Sequence, residues 1–208
     1  THYILQENER EIGIGSNNIK AVYVDEQKSL VYIGTHAGGL TVLHRNSGQM
    51  ESFNQLNSQL VNENVYAILP DKEGSILLGT LSALVSFNPE KRSFTTIDKE
   101  KDGTPFTSQR ITILFRDSRK RLWIGGEEGI SVFQQEGTEI EKAPILPESS
   151  VTKMFTNCIY EAANGIIWVG TREGFYCFNE KEKKIKRYTT ANGLPNNVVY
   201  GILEDTFG

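Results

Sequence analysis

The chain has 208 residues, 38% of them hydrophobic and 23% charged, a composition typical of a globular protein with a core. Its net charge is −4, and its basic residues form no cluster beyond the short stretch 181–187, which argues against nucleic acid as a partner. No apolar run approaches the length of about 18 residues that a membrane span needs, and no signal peptide opens the chain. Two cysteines and three scattered histidines exclude a disulfide scaffold and predict no metal site, and no cofactor is expected.

An apolar triplet closed by a glycine recurs four times along the chain. The copies are VYIG at Gly34, ILLG at Gly79, LWIG at Gly125 and IWVG at Gly170, at intervals of 45, 46 and 45 residues. Each follows an apolar stretch and, in three copies, an aspartate: Asp25, Asp71 and Asp117, with Ala162 in the fourth. Each precedes a short loop, a further apolar segment and a last apolar side chain: Met50, Phe94, Ile140 and Ile185. The repeat therefore predicts four short strands separated by turns.

The second predicted strand of each repeat is apolar at consecutive positions, which indicates burial on both faces. Four-stranded units of about 45 residues are typical of a β-propeller, in which each blade is stacked between two others. We predict an all-β fold, a β-propeller fragment of four-stranded antiparallel blades. The complete repeats are 18–54, 64–97, 110–143 and 155–188, and truncated repeats lie at 1–6 and 196–208. Because an open stack exposes apolar blade faces, we expect the chain to belong to a longer ring or to pair through its ends.

Residues that recur at equivalent positions of two or more repeats are predicted to be structural. Asp25, Asp71 and Asp117 are expected to hydrogen-bond to turn backbone, and the tryptophans Trp123 and Trp168 to lie in the core. The glycine-rich segment 121–133 resembles a phosphate-binding loop, but neither a helix pattern nor a Gly-Lys-Ser/Thr motif follows it. Its glycine Gly129, like Gly38 and Gly174 in other copies, is instead expected to form a turn with positive φ.

Positions that differ between repeats are the candidate ligand contacts, because a non-symmetric ligand requires them. In an antiparallel blade, the turn after the second strand and the link to the next blade lie on one face. The ligand-binding residues predicted there are His36, Arg110, Glu127, Glu128, Arg172 and Glu173, with Ser82 and Asn157 nearby. The cysteines Cys158 and Cys177 fall on the first and third strands, so we expect unreactive packing roles and no disulfide.

The repeated sequence motif resembles the two-component regulator propeller repeat. Three copies carry the resemblance: NENVYAILPDKEGSILLGT (62–80), DSRKRLWIGGEEGISVF (117–133) and GLPNNVVYGILEDTFG (193–208). They match a family pattern of G-L-P-x-N-x-V, an apolar strand, D-x-x-G-x-L-W-I-G-T and G-L-x-x-F. Ala162 and Ala83 depart from that pattern, in place of the aspartate and a glycine.

The resemblance implies a role in signalling. It suggests the periplasmic sensor region of a hybrid two-component histidine kinase of Bacteroides-type bacteria, anchored in the inner membrane and forming a homodimer. Such receptors respond to oligosaccharides and control polysaccharide-utilisation genes. The expected partners are an oligosaccharide and the remaining blades of the parent protein, with no catalysis in this region.

Two other functions are compatible with the sequence. A propeller glycoside hydrolase or polysaccharide lyase would need either two carboxylates that converge outside the repeat pattern or a set of histidine, tyrosine and arginine side chains on one face. A protein-interaction scaffold would need a flat apolar face in place of a polar cleft.

Overall fold

The computed structural model describes residues 13–106, 110–143 and 154–205, and they form four separate antiparallel sheets of four strands each. The first sheet contains β1 (Ile19–Asp25), β2 (Leu30–Thr35), β3 (Leu40–His44) and β4 (Met50–Phe53). The second contains β5 (Val65–Pro70), β6 (Ile76–Thr80), β7 (Leu84–Asn88) and β8 (Ser93–Ile97). The third contains β9 (Ile111–Arg116), β10 (Leu122–Gly126), β11 (Gly129–Glu136) and β12 (Glu139–Lys142). The fourth contains β13 (Thr156–Glu161), β14 (Ile167–Thr171), β15 (Phe175–Asn179) and β16 (Lys184–Tyr188).

Strand order follows chain order in every sheet, and the first strands of successive sheets lie against one another. These are the features of propeller blades arranged around a common axis, so the predicted fold class is confirmed. In the part of the chain that the structure describes, no helix is long and apolar enough to cross a membrane.

Apolar side chains fill the spaces between neighbouring sheets, which is why the sequence alternates so little along the second strands. One cluster joins the first and second sheets and includes Tyr32, Leu78 and Phe87. Another joins the second and third sheets around Leu77 and Ile124, and the next joins the third and fourth. Fully burying one side chain of this kind stabilises the fold by about 1.5–3 kcal/mol, so the stacked faces dominate stability.

The glycine that closes each apolar triplet marks the closest approach between two sheets. A Cβ on Gly79 would lie 2.6 Å from the Ile111 side chain and 2.9 Å from its carbonyl oxygen. The same contact joins Gly34 to Val65, Gly125 to Thr156 and Gly170 to Val199. Glycine is needed here because the next first strand occupies the space of a side chain.

Residues 199–204 occupy the place of a fifth first strand beside the fourth sheet. The Val199 amide donates to the Thr171 carbonyl at 2.8 Å, and Asn157 Nδ2 donates to the Val199 carbonyl at 3.0 Å. The Glu204 carboxylate accepts from the Ala163 amide, as the Glu161 carboxylate accepts from the Ser118 amide one blade earlier. Of the truncated repeats, 1–6 and the last three residues of 196–208 lie outside the described residues.

The turn prediction for the first blade is wrong at one glycine. The positive φ angles in that turn belong to Ala37 (58°) and Gly39 (74°), and Gly38 is not among the positive-φ residues. This turn is one residue longer than its equivalents, so the positions with positive φ are shifted. Gly38 instead packs against Gly15, and a Cβ built on Gly38 would lie 2.3 Å from the Gly15 carbonyl carbon. Gly129 and Gly174 do have positive φ, at 102° and 131°.

Candidate functional site

Each first strand carries a β-bulge at the same place, and the bulge directs one side chain away from the regular pairing. In the first sheet Ile19 pairs with Thr35 and Ala21 with Gly34, which leaves Lys20 as the extra residue. The equivalent extra residues are Tyr66, Thr112 and Asn157. Bulges commonly re-aim side chains next to functional sites. The bulge therefore recurs in all four sheets, while the side chain at the bulge differs from sheet to sheet.

A pocket of about 290 Å³ opens where the first strands begin. Three of the four extra residues line it, namely Lys20, Tyr66 and Thr112. The lining residues are Asn18, Lys20, His36, Tyr66, Arg110, Thr112 and Phe155. We call this pocket the upper pocket and this end of the stack the upper face.

The ring of Tyr66 lines the upper pocket and contacts two of its other residues. Its hydroxyl is 3.4 Å from His36 Nδ1, and the two ring centroids are 6.4 Å apart. On the other side, the Arg110 guanidinium carbon lies 5.7 Å from the centroid of the Tyr66 ring. A half-buried aromatic face flanked by hydrogen-bonding groups is suited to a ligand with both apolar and hydroxyl surface.

Arg110 is held in an unusual backbone conformation. Its φ is 48°, in the left-handed region, and its amide donates to the Leu81 carbonyl at 2.7 Å. Its Nε is buried, has no hydrogen-bond partner among the described residues, and lies 3.9 Å from Glu127 Oε2. Strained residues with unpaired buried donors are concentrated at functional sites.

The structure brings only part of the predicted ligand set to the upper pocket. His36 and Arg110 line it, Glu127 lies beside Arg110, and Arg172 sits over the Phe155 ring at 3.9 Å. Glu128 is exposed and does not line the pocket, and the Glu173 carbonyl accepts a hydrogen bond from Arg187 on β16. Ser82 is exposed in the β6–β7 turn.

Sequence reasoning missed the residues on the first strands, namely Lys20, Tyr66, Thr112 and Phe155. It searched the turns and links, and it assigned the first strands to packing. A signal was present, because the residue at the second position of this strand differs between most of the repeats. It is Lys20, Tyr66, Thr112, Asn157 and Tyr200 in the five copies.

The opposite, lower face is occupied by ion pairs between blades. Asp71 was expected to bind turn backbone, but its carboxylate instead accepts from Arg116 at 2.8 Å and from Gln135 at 2.7 Å, both on the third sheet. Asp25 and Asp117 do accept from turn amides, at 3.0 Å from Lys28 and 2.9 Å from Arg121. Pockets of about 630 and 400 Å³ open among these turns. Both are larger than the upper pocket. In the 400 Å³ pocket Arg121 and Glu180 already pair with each other, and in the 630 Å³ pocket the Asp71 carboxylate pairs with Arg116.

The two tryptophans differ in environment. Trp123 is 1% exposed, whereas Trp168 is half-buried and stacks on Phe175, with 4.8 Å between ring centroids, on the outer face of the fourth sheet.

Cys158 and Cys177 are free, and burial raises the pKa of both thiols. Within the described ranges, no group of three or more His, Cys, Asp or Glu residues could hold a metal ion.

The sequence and the fold are similar to those of known signalling proteins. Residues 149–173 match the model of the two-component regulator propeller. A histidine kinase, P4 of Formosa agariphila, is 27% identical over 224 residues, an alignment that covers the whole of this chain and 16% of the kinase. The chain therefore spans about one sixth of the length of that relative.

Solved structures share the fold at lower identity. The extracellular domain of a "putative hybrid two component system" of B. thetaiotaomicron superposes with a TM-score of 0.73 at 20% identity, over 91% of this chain and 25% of that one. An ancestral GH74 enzyme superposes with a TM-score of 0.63 at 15% identity, over 91% of this chain and 26% of the enzyme. The blade architecture is thus shared by the extracellular domain of a putative two-component system and by an enzyme, so function has to be argued from the site.

Proposed function

We propose that this chain, which carries the two-component regulator propeller repeat, is part of the ligand-sensing region of a hybrid two-component histidine kinase. The match of residues 149–173 to the repeat model and the alignment of the whole chain with 16% of a histidine kinase support this assignment. The parent protein would be a homodimeric receptor in the inner membrane, with this region in the periplasm and the kinase on the other side.

The observation that carries the proposal is the contrast between a repeated frame and an unrepeated pocket. The bulge recurs in all four sheets, yet the side chains that line the upper pocket are a lysine, a tyrosine, a threonine and, before β13, a phenylalanine. A purely structural device would keep one residue type at equivalent positions, as the closing glycines do. The upper face is therefore where the chain departs from its own symmetry to bind something asymmetric.

We assign the ligand to the oligosaccharides. The Tyr66 ring offers an apolar face to the C–H surface of a sugar, while Asn18, His36 and Thr112 offer donors and acceptors to its hydroxyls. The residues of the upper pocket belong to all four sheets or the links between them, so an occupied pocket would tie the blades together. A ligand that favours one blade arrangement over another shifts the receptor between its states, and the output would be transcription of polysaccharide-utilisation genes.

A glycoside hydrolase is less well supported by the same pocket, whereas its His36, Tyr66 and Arg110 form the histidine, tyrosine and arginine set that a polysaccharide lyase would need, so lyase activity is the second candidate function. Glycoside hydrolysis uses two carboxyl groups on either side of the scissile bond. Among the described residues that line the upper pocket there is no aspartate or glutamate. The Glu127 carboxylate lies beside the pocket, with its Oε2 3.9 Å from Arg110 Nε.

The test is calorimetric titration of the chain with a panel of oligosaccharides, repeated on Tyr66→Ala. We expect at least one oligosaccharide to bind the wild-type chain and to lose most of its affinity for the variant. Tyr160→Ala is the matched control, because Tyr160 is a partly exposed tyrosine of the lower side that donates to Glu204 at 2.8 Å. If no oligosaccharide of the panel gives a binding heat or changes the melting temperature of the chain, oligosaccharide sensing is overturned.

A further inference from the structure

The charge of the upper pocket is opposite in sign to that of the chain. The chain carries a net charge of −4, yet the described residues lining the pocket include Lys20 and Arg110 and no acid. His36, the other ionisable nitrogen in the lining, is exposed and faces the Tyr66 hydroxyl. A concave site lined by one sign of charge attracts ligands of the other sign and raises their rate of association.

The Arg110 guanidinium has a donor nitrogen without a hydrogen-bond partner among the described residues. Its Nε lies 3.9 Å from Glu127 Oε2, beyond hydrogen-bond distance, and is buried with no hydrogen-bond partner among the described residues. A buried donor without a partner is costly, so an acceptor supplied by a ligand would be favoured. A guanidinium binds planar or tetrahedral oxyanions through two parallel hydrogen bonds, which a neutral hydroxyl cannot match.

The backbone of Arg110 is constrained at the rim of the upper pocket. Arg110 adopts φ 48°, and a 2.7 Å hydrogen bond from its amide to Leu81 holds that conformation. Its guanidinium carbon lies over the Tyr66 ring, 5.7 Å from the ring centroid, so a group bound by the guanidinium would lie close to that ring. Tyr66 and Arg110 together therefore offer a sugar face and an anion contact side by side.

We propose that the upper pocket selects oligosaccharides that carry an acidic group, a carboxylate or a sulfate ester, bound by Arg110 with Lys20 as the second cation. This rests on the proposed function, because it names the chemical class of the ligand for the same pocket. Tyr66 would hold the sugar ring, and Arg110 would discriminate between acidic and neutral chains.

The experiment compares three oligosaccharides of equal length in calorimetric titrations of the chain: a neutral galacto-oligosaccharide, its sulfated counterpart and an oligogalacturonate. We expect at least one of the acidic ligands to bind tenfold or more tightly than the neutral one, and its affinity to fall as salt is raised. The two acidic ligands distinguish a sulfate from a carboxylate as the anion.

Variants locate the anion contact. Arg110→Gln is expected to reduce the affinity for the acidic ligand at least tenfold and to leave the affinity for the neutral ligand within twofold. Lys20→Gln is expected to have a smaller effect in the same direction. Arg45→Gln is the matched control, since Arg45 has similar side-chain exposure (45% against 39%) and pairs with Glu26 away from the pocket.

The outcomes separate the two proposals. Equal binding of neutral and acidic ligands, or no loss in Arg110→Gln, would overturn acidic selectivity and leave oligosaccharide sensing intact. Binding of inorganic sulfate as tight as that of the sulfated sugar would overturn the sugar-specific role of the pocket. Failure of all three oligosaccharides to bind would count against the proposed function itself.

Discussion

The carboxylate of Asp117 accepts a hydrogen bond from the indole nitrogen of Trp123 at 2.8 Å, with both side chains buried. The same carboxylate accepts from Arg121 Nε at 2.7 Å, and Arg121 extends to Glu180 in the fourth sheet at 3.0 Å. One aspartate therefore closes its own turn, satisfies the tryptophan of its blade and orients an arginine that links two blades. This pairing is specific to the third blade, since the equivalent positions are Asp71 and Leu77 in the second and Ala162 and Trp168 in the fourth.

Asp117→Ala should destabilise the chain by about 3–5 kcal/mol, because it leaves a buried arginine and an indole N–H without their partner. Asp25→Ala, at the equivalent position of the first sheet, is the control. Asp25 is half-buried and accepts one amide hydrogen bond, from Lys28, so its loss should cost less than about 1 kcal/mol. Urea denaturation followed by tryptophan fluorescence measures both, and equal losses would contradict this ranking.

Gly79→Ala should destabilise the chain by about 1–3 kcal/mol through overpacking between the second and third sheets. The added Cβ would lie 2.6 Å from the Ile111 side chain and 2.9 Å from its carbonyl oxygen, and backbone cannot move aside easily. Gly201→Ala is the matched control, since nothing lies within 4 Å of a Cβ there. Thermal unfolding compares the two, and an unchanged midpoint for Gly79→Ala would refute the close approach.

The thiols of Cys158 and Cys177 should react slowly in the folded chain. Burial is the main cause that raises the pKa of each, so the neutral thiol predominates at pH 7 and the reactive thiolate is scarcer than in a free cysteine. Alkylation by iodoacetamide should therefore be slower than in urea and should accelerate as pH rises above the usual thiol range. Equal rates in the native and unfolded chain at pH 7 would show that neither thiol is protected.

The architecture could be predicted from the sequence because its determinants are local and recur. Gly34, Gly79, Gly125 and Gly170 mark a close approach that only glycine permits, and their spacing sets the blade length. The apolar residues on consecutive positions of the second strands indicated burial on both faces, as β6 and β10 show.

The candidate site could be predicted only in part, because it depends on how separate repeats come together. His36 and Arg110 were found because they interrupt the repeat in turns and links. Tyr66 was missed because a tyrosine within an apolar strand gives no sign that a bulge turns it outward. The partner of Asp71 was missed for a similar reason: Arg116 lies 45 residues away, and the stacking of the sheets brings the two together.

The central claim is that the ligand binds at the upper face, and hydrogen–deuterium exchange of the chain with and without a bound oligosaccharide tests it most directly. The exchange should slow in peptides that contain Tyr66 and Arg110, whose amides and neighbours frame the upper pocket, and stay unchanged in the lower turns that contain Asp25 and Gly74. Protection confined to the lower turns, with no change around Tyr66 and Arg110, would contradict the account.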